Sequence, residues 1–193
     1  MKKALIGAGG FAFEVKSQMG DLSIMSFVND EFYNGENYTL PLSKFDPNEY
    51  EIAIAIGDSA VRKRIVDKLP KETKYFTFIH KSVMIFDNVD IGEGSIICPG
   101  TIITTNCKIG KHCHLNIRTT IAHDNVIDDY FTTAPGVHIS GNNHIGNCVY
   151  FGTNSSTKQK INICDDVIIG MHAAVVKNIT DSGTYVGVPA KKI

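Results

Sequence analysis

From Ile85 onward an aliphatic or aromatic residue recurs at every sixth position. The series runs Ile85, Ile91, Ile97, Ile103, Ile109, Leu115, Ile121 and on to Val175; fourteen of its sixteen positions are apolar, and Thr133 and Thr157 fill the other two. A helix repeats near 3.6 residues and a strand near 2, so neither element alone explains this period. Glycine directly follows the apolar position at 92, 110, 146, 152 and 170, and a small or β-branched residue often lies two positions before it, as at Ser95, Thr101, Cys107, Cys113 and Thr119. A run of β-hairpins in a sandwich would lose this register, because hairpin loops vary in length. The period predicts a parallel β-helix in which each hexapeptide makes one short strand and one turn, and three units close a triangular coil. One rung then takes about 18 residues, and roughly five rungs stack into a prism ~24 Å tall whose continuous core no single rung buries alone.

The first 80 residues follow a different pattern. "KKALIGA", "IMSFVND" and "YEIAIAIGD" read as strands. "GAGGFAFEVKSQMG" opens a helix from a glycine turn, and "SAVRKRIVDKL" carries an apolar stripe of Val61, Ile65 and Leu69. Strands alternating with helices predict a small parallel α/β unit. The expected organisation is an α/β half-Rossmann domain over 1–80 and a β-helix with a C-terminal cap over 81–193. The cap is the tail "VVKNITDSGTYVGVPAKKI", which leaves the repeat. Segment 31–50 is polar and turn-rich and reads as a loop. Gly7-Ala8-Gly9-Gly10 approximates a dinucleotide fingerprint, with Asp30 about twenty residues on. There is room for one mononucleotide half only, so the expectation is a single nucleotide-diphosphate site; the competing reading is that the glycines simply make a tight turn.

Charge excludes little but favours little: 19 basic against 20 acidic residues give no reason to expect nucleic acid or an anionic membrane as partner. No apolar run approaches the roughly 20 residues that span a bilayer, and the short, glycine-broken start reads as a first strand rather than a leader, which suggests a cytoplasmic protein. The five cysteines form no C-x-x-C pair and read as reduced core residues. Of seven histidines, six lie in the repeat. His138 and His144 are six apart, on successive faces, and no convincing three-ligand metal set emerges, so no metal is expected. His123 is followed by Asp124, an arrangement suited to an oriented general base.

The repeat resembles the left-handed β-helix of the hexapeptide acyltransferases. Taken in order, "GAGGFAFEV", "IAIGDSAVRKRI", "IHKSV", "IAHDNVI" and "GTYVGVPAKKI" are similar to one subfamily, the nucleotide-sugar N-acetyltransferases of the bacillosamine and perosamine type, with sialic-acid O-acetyltransferases as relatives. The resemblance implies an acetyl-CoA-dependent transfer to the amine of a nucleotide-linked 4-amino-4,6-dideoxy-type sugar, in a homotrimer, without metal. It implies His123 as general base, Asp124 as its partner and the Gly141 N–H as oxyanion donor. Gly9, Gly10, Phe11, Asn29, Asp30, Gly57, Asp58 and Asn116 would hold the nucleotide sugar, and Gly141, Gly152 and Gly170 the acetyl-CoA. Phe11 departs from a histidine found in many relatives, Asn29-Asp30 from a pair of acids, and Asp124 from the commoner glutamate. O-acetylation of a sugar hydroxyl is the alternative within this chemistry; a non-catalytic β-helix scaffold or a γ-type carbonic anhydrase is the alternative outside it.

Overall fold

A computed structural model describes residues 1–193. The period of six closes into a three-walled prism, the left-handed parallel β-helix expected. Successive rungs pair in parallel with an offset of eighteen: Ile103 with Ile121 and Ile121 with Ile139 on one wall, Ile109 with Ile127 on the second, Leu115 with Thr133 and Thr133 with Phe151 on the third. The inward residues of all three walls form one cluster of 21 buried side chains, so no rung has a private core. Thr133 is accommodated inside because its hydroxyl meets that of Thr119 at 2.7 Å.

Every corner turns on one residue with positive φ, at every sixth position from 88 to 172. Gly94, Gly100 and Gly136 take three of these corners, and twelve non-glycine residues take the rest with φ between 54° and 62°. A left-handed backbone costs such residues ~1–2 kcal/mol each, least for Asn and Asp. Half of the twelve are Asn or Asp, and Asp124 is one of them. In the tail, Gly183–Val186 pairs in parallel on Val167–Ile169 and is itself covered by antiparallel Lys191–Lys192.

The α/β unit is a five-stranded parallel sheet of β1 (Lys2–Ile6), β2 (Met25–Val28), β3 (Thr39–Pro41), β4 (Tyr50–Ile54) and β5 (Lys74–Tyr75) in the order β3-β2-β1-β4-β5. Its helices are α1 (Gly10–Met19) and α2 (Ser59–Lys68). β3 departs from the sequence expectation of a plain loop over 31–50. It is three residues long and ends in proline, a pattern with no strand periodicity that an edge position tolerates. The prism walls begin with Phe78–Ile79, which pairs with Ile96–Ile97.

The α/β unit docks on the outside of one wall. Ile96 and Cys98 of that wall share a buried cluster with Leu5, Ala12, Val15 and Phe76. Val61 and Ile65 of α2, with Leu69 just after it, pack against the helix's own sheet, whereas Arg62 points at the outer face of the prism and is wholly buried. Its guanidinium donates to the carbonyls of Ile56 (2.8 Å), His112 (2.8 Å) and Tyr130 (2.9 Å) and to the Thr132 hydroxyl (2.7 Å). Burial lowers its pKa to about 10, so it remains a cation at neutral pH, held by carbonyl dipoles rather than a carboxylate. Removing the guanidinium would strand these acceptors, at a cost of about 1–3 kcal/mol for each one left unpaired.

Beside Arg62, the His112 ring lies between Tyr75 (4.6 Å, edge-on) and Tyr130 (5.3 Å, stacked) and is 3% exposed. Burial first, then the Arg62 charge, lowers its pKa to about 4; Glu93 and Asp129 oppose this and Lys111 reinforces it. The unfolded chain takes up that proton near pH 6.5 and the folded chain only near 4, so the associated stability is present above pH 6.5 and lost as pH falls through this window. Unfolding free energy measured by urea titration is expected to drop by about 3 kcal/mol through His112 between pH 6.5 and 4. His112→Asn, which suits a left-handed corner, should flatten that acid limb; an unchanged slope would show that His112 is not held neutral.

Candidate active site

His123 and Asp124 stand on one corner of the prism, half-exposed. The strand Thr120–Ile121 delivers them: Ile121 is fixed inward by its neighbours at 103 and 139, so the residues two and three further on must occupy the turn. His123 Nδ1 lies 2.6 Å from Asp124 Oδ2. An ionised carboxylate only accepts, so Nδ1 carries the proton and Nε2 is left as the free acceptor. Hydrogen bonds from His123 and then Asn106 hold the Asp124 carboxyl below the ordinary carboxylate range. Asn106 reaches Asp124 Oδ1 at 3.2 Å and is reached in turn by Asn88 at 3.1 Å, so the acid is braced from two rungs below.

One rung above, Gly141 lies against the imidazole. A Cβ there would come within 2.8–2.9 Å of His123 Cε1 and Nε2, so any side chain would displace the ring. The Gly141 carbonyl accepts from Lys160 N–H, whereas its own N–H donates to no protein acceptor. The corner therefore offers an acceptor nitrogen and a free backbone donor on adjacent rungs.

Behind the corner runs a buried asparagine ladder at positions where the repeat favours small or β-branched residues. Asn125 Nδ2 donates to the carbonyls of Ala122 (2.6 Å) and Ser140 (3.0 Å), the residues preceding His123 and Gly141. Asn125 Oδ1 accepts from Asn143 N–H, and Asn143 Oδ1 from Ile161 N–H. The signal for Asn125 and Asn143 was present in the sequence, as two polar residues eighteen apart on an inward position.

The nucleotide-side residues gather elsewhere. Gly7 has φ +112°, and a Cβ on it would press within 2.9 Å of the Ala55 carbonyl, so β1 and β4 approach only through glycine. Gly9 caps α1 with no side-chain hydrogen bond, and the space above Gly9 and Gly10 is open. The start of α2, by contrast, is closed by Asp58, whose carboxylate accepts from Val61 N–H at 2.8 Å. The open start of α1 lies between two cavities. One, of about 440 Å³, is bordered by Gly9, Asn29, Phe32 and Glu36 at the carboxyl ends of β1 and β2. The other, of about 480 Å³ between the α/β unit and the prism, is bordered by Gly10, Phe11, Gly57, Asn116, Thr132 and Tyr150. Phe11 rests on the buried His114 ring at 5.1 Å. Asp30 borders neither cavity: its carboxylate accepts from Ser43 N–H at 3.0 Å.

Asn116 and His123 are not brought together within one chain. Asn116 stands in a column with Cys98, Ala134, Gly152 and Gly170, spaced by eighteen on the third wall, whereas His123 and Gly141 follow the first wall. Gly152 and Gly170 have a packing role of their own: a Cβ on Gly152 would meet Met171 N at 2.6 Å, and one on Gly170 would meet Val186 Cγ1 at 2.8 Å. The remaining histidines are dispersed. His114 is buried, His138 contacts Thr120 Oγ1, His144 contacts Asp128, and no three His, Cys, Asp or Glu residues converge. Cys98 and Cys113 are buried and their thiols are pushed up to about 12, which makes them inert core groups. No helix is long and apolar enough to cross a membrane.

The ladder's importance can be measured directly. Asn125→Val keeps the volume class of the repeat but strands the Asn143 N–H, and should lower the unfolding free energy by about 1–3 kcal/mol. A neutral result would show that the ladder does not hold the corner.

Comparisons with known proteins agree with this architecture. The PglD N-terminal domain family matches residues 2–69. WeeI from Acinetobacter baumannii AYE superposes with a TM-score of 0.88 at 34% identity, over 99% of this chain and 99% of that one. The acetyltransferase domain of PglB from Neisseria gonorrhoeae FA1090 in complex with acetyl coenzyme A gives 0.87 at 26% identity, over 100% and 98%. The GDP-perosamine N-acetyltransferase of Escherichia coli O157:H7 is 35% identical over 109 residues, 56% of this chain and 49% of that protein, so the match spans about half the length of this curated relative. With a relative aligned end to end and both halves of the architecture accounted for, the chain belongs to the hexapeptide-repeat family of nucleotide-sugar acetyltransferases.

Proposed function

We propose that this protein transfers the acetyl group of acetyl-CoA to the amino group of a nucleotide-linked 4-amino sugar. The observation that carries the reading is the His123–Asp124 pair with the undonated Gly141 N–H one rung above it. Relatives named for GDP-perosamine N-acetylation and for acetyl coenzyme A binding support the same chemistry. The neutral amine attacks the thioester carbonyl. His123 Nε2 accepts the proton that the nitrogen sheds, while Asp124 stabilises the imidazolium. The Gly141 N–H donates to the oxyanion. Collapse breaks the C–S bond, and the departing thiolate recovers the proton from His123.

The two cavities and the open helix start suggest how the acceptor lies. The nucleoside occupies the cavity beside Asn29, the diphosphate meets the free N–H groups at Gly10 and Phe11, and the sugar extends over Asn116. Asp58 caps α2 directly after Gly57. Because Asn116 and His123 follow different walls, we place the reaction at the seam between two copies of a homotrimer. The Gly152 and Gly170 column of one copy then faces the Gly141 corner of the next, with coenzyme A between them. Acetyl-CoA and nucleotide sugars as substrates favour action in the cytoplasm.

Release of free thiol from acetyl-CoA, followed against a panel of GDP-, UDP- and dTDP-linked 4-amino sugars, tests this reading. Turnover is expected on one member, with kcat reduced about 10²–10⁴-fold in His123→Ala while coenzyme A binding persists. Full activity in His123→Ala, or no coenzyme A binding by the unaltered chain, would contradict it.

A further inference from the structure

The corner that carries His123 changes character as it rises. Asn142 N–H donates to the His123 carbonyl (2.9 Å), and Lys160 N–H donates to the Gly141 carbonyl (3.1 Å) on the next rung. Lys160 is therefore the corner residue two rungs above Asp124, itself left-handed with φ 60°. Lys158, two residues before it, follows the inward Thr157, which pairs with Val175 on the last rung; Lys177 follows Val175 by two. All three lysines are exposed, and none belongs to an ion pair.

This is not how the chain treats its other stacked lysine. Lys111 has Glu93 eighteen residues below it, and the two pair at 2.8 Å. The residues eighteen before Lys158, Lys160 and Lys177 are Ser140, Asn142 and Gln159, and those eighteen after Lys158 and Lys160 are Val176 and Asn178; none is an acid. The acids of the same height, such as Asp166, turn a different corner. Three cations on neighbouring rungs repel one another, and an anion between them relieves that repulsion.

The height also matches. Rungs are ~4.8 Å apart, which puts Lys160 about 10 Å and Lys177 about 14 Å above the His123 corner. The pantetheine arm of coenzyme A has the reach of about four extended residues, ~14 Å, from its sulfur to its diphosphate. We propose that Lys158, Lys160 and Lys177 bind the phosphates of coenzyme A, fixing the donor's nucleotide end while its thioester reaches Gly141. This rests on the acetyl-CoA reading of the site. It assigns to three side chains a role that Gly152 and Gly170 cannot fill, because their N–H groups already donate to the Ile169 and Tyr185 carbonyls.

Isothermal titration of the unaltered chain, of Lys158→Ala/Lys160→Ala/Lys177→Ala and of Lys108→Ala, an exposed lysine on another wall, tests the assignment. Coenzyme A and 3′-dephospho-coenzyme A serve as the probes, at low and moderate salt. The triple variant should bind coenzyme A at least about tenfold more weakly, and its affinity should depend less on salt. Lys108→Ala should match the unaltered chain. A larger loss for coenzyme A than for the dephospho form assigns the 3′-phosphate to the lysines, and equal losses assign the diphosphate. Equal affinities and equal salt slopes in the triple variant and the unaltered chain would overturn the lysine assignment and leave the acetyltransferase reading standing. No coenzyme A binding by the unaltered chain would overturn both.

Discussion

Each rung of the prism hydrogen-bonds to the next with an offset of eighteen residues, and the rest of the molecule depends on that register. A slip of one residue would turn every inward side chain outward, because neighbouring residues of a strand face opposite sides. The continuous core of isoleucines therefore pins the walls, and pinned walls fix the corners. A corner residue gains its left-handed backbone as a consequence, at a cost borne by the ladder rather than by local preference. His123, Asp124 and Gly141 are brought into contact by this stacking alone: eighteen residues separate His123 from Gly141 in sequence, and one strand spacing separates them in space.

The second constraint is the seam between the α/β unit and the prism. Arg62 ties the carbonyl that follows β4 to two corners of the solenoid, at His112 and Tyr130. The cavity between the units thereby acquires a fixed floor, with Phe11 resting on His114 and Asn116 opposite Gly10. In the proposed reaction this geometry matters more than affinity, since a sugar held a fixed distance from the seam needs no further search to meet the base of the neighbouring copy.

The β-helix was legible because its core repeats sixteen times without a gap, so a single weak position such as Thr133 or Thr157 could not obscure it. The α/β strands were legible as apolar runs. β3 was not, being three residues with a terminal proline, and Arg62 was not, because a charged residue on a helix reads as solvent-facing until the partner surface is known. The site was partly legible: His123-Asp124 stands out as a pair and Gly141 follows from resemblance. Asn106 and Asn125, which brace them, become visible only once residues eighteen apart are read as neighbours. Asp30, expected at a ribose, is instead bound to the Ser43 backbone, which spacing along the chain cannot show.

In this account the base His123 and the sugar-positioning Asn116 of one site come from two different copies of the chain. It is tested most directly by mixing an Asn116→Tyr chain, whose cavity is obstructed, with a His123→Ala chain, each inactive alone. In randomly mixed trimers about one seam in four joins an intact His123 to an intact Asn116, so acetyl transfer should return to about a quarter of the unaltered rate. Mixed trimers with no more activity than the two parents would place the whole site within one chain and contradict the account.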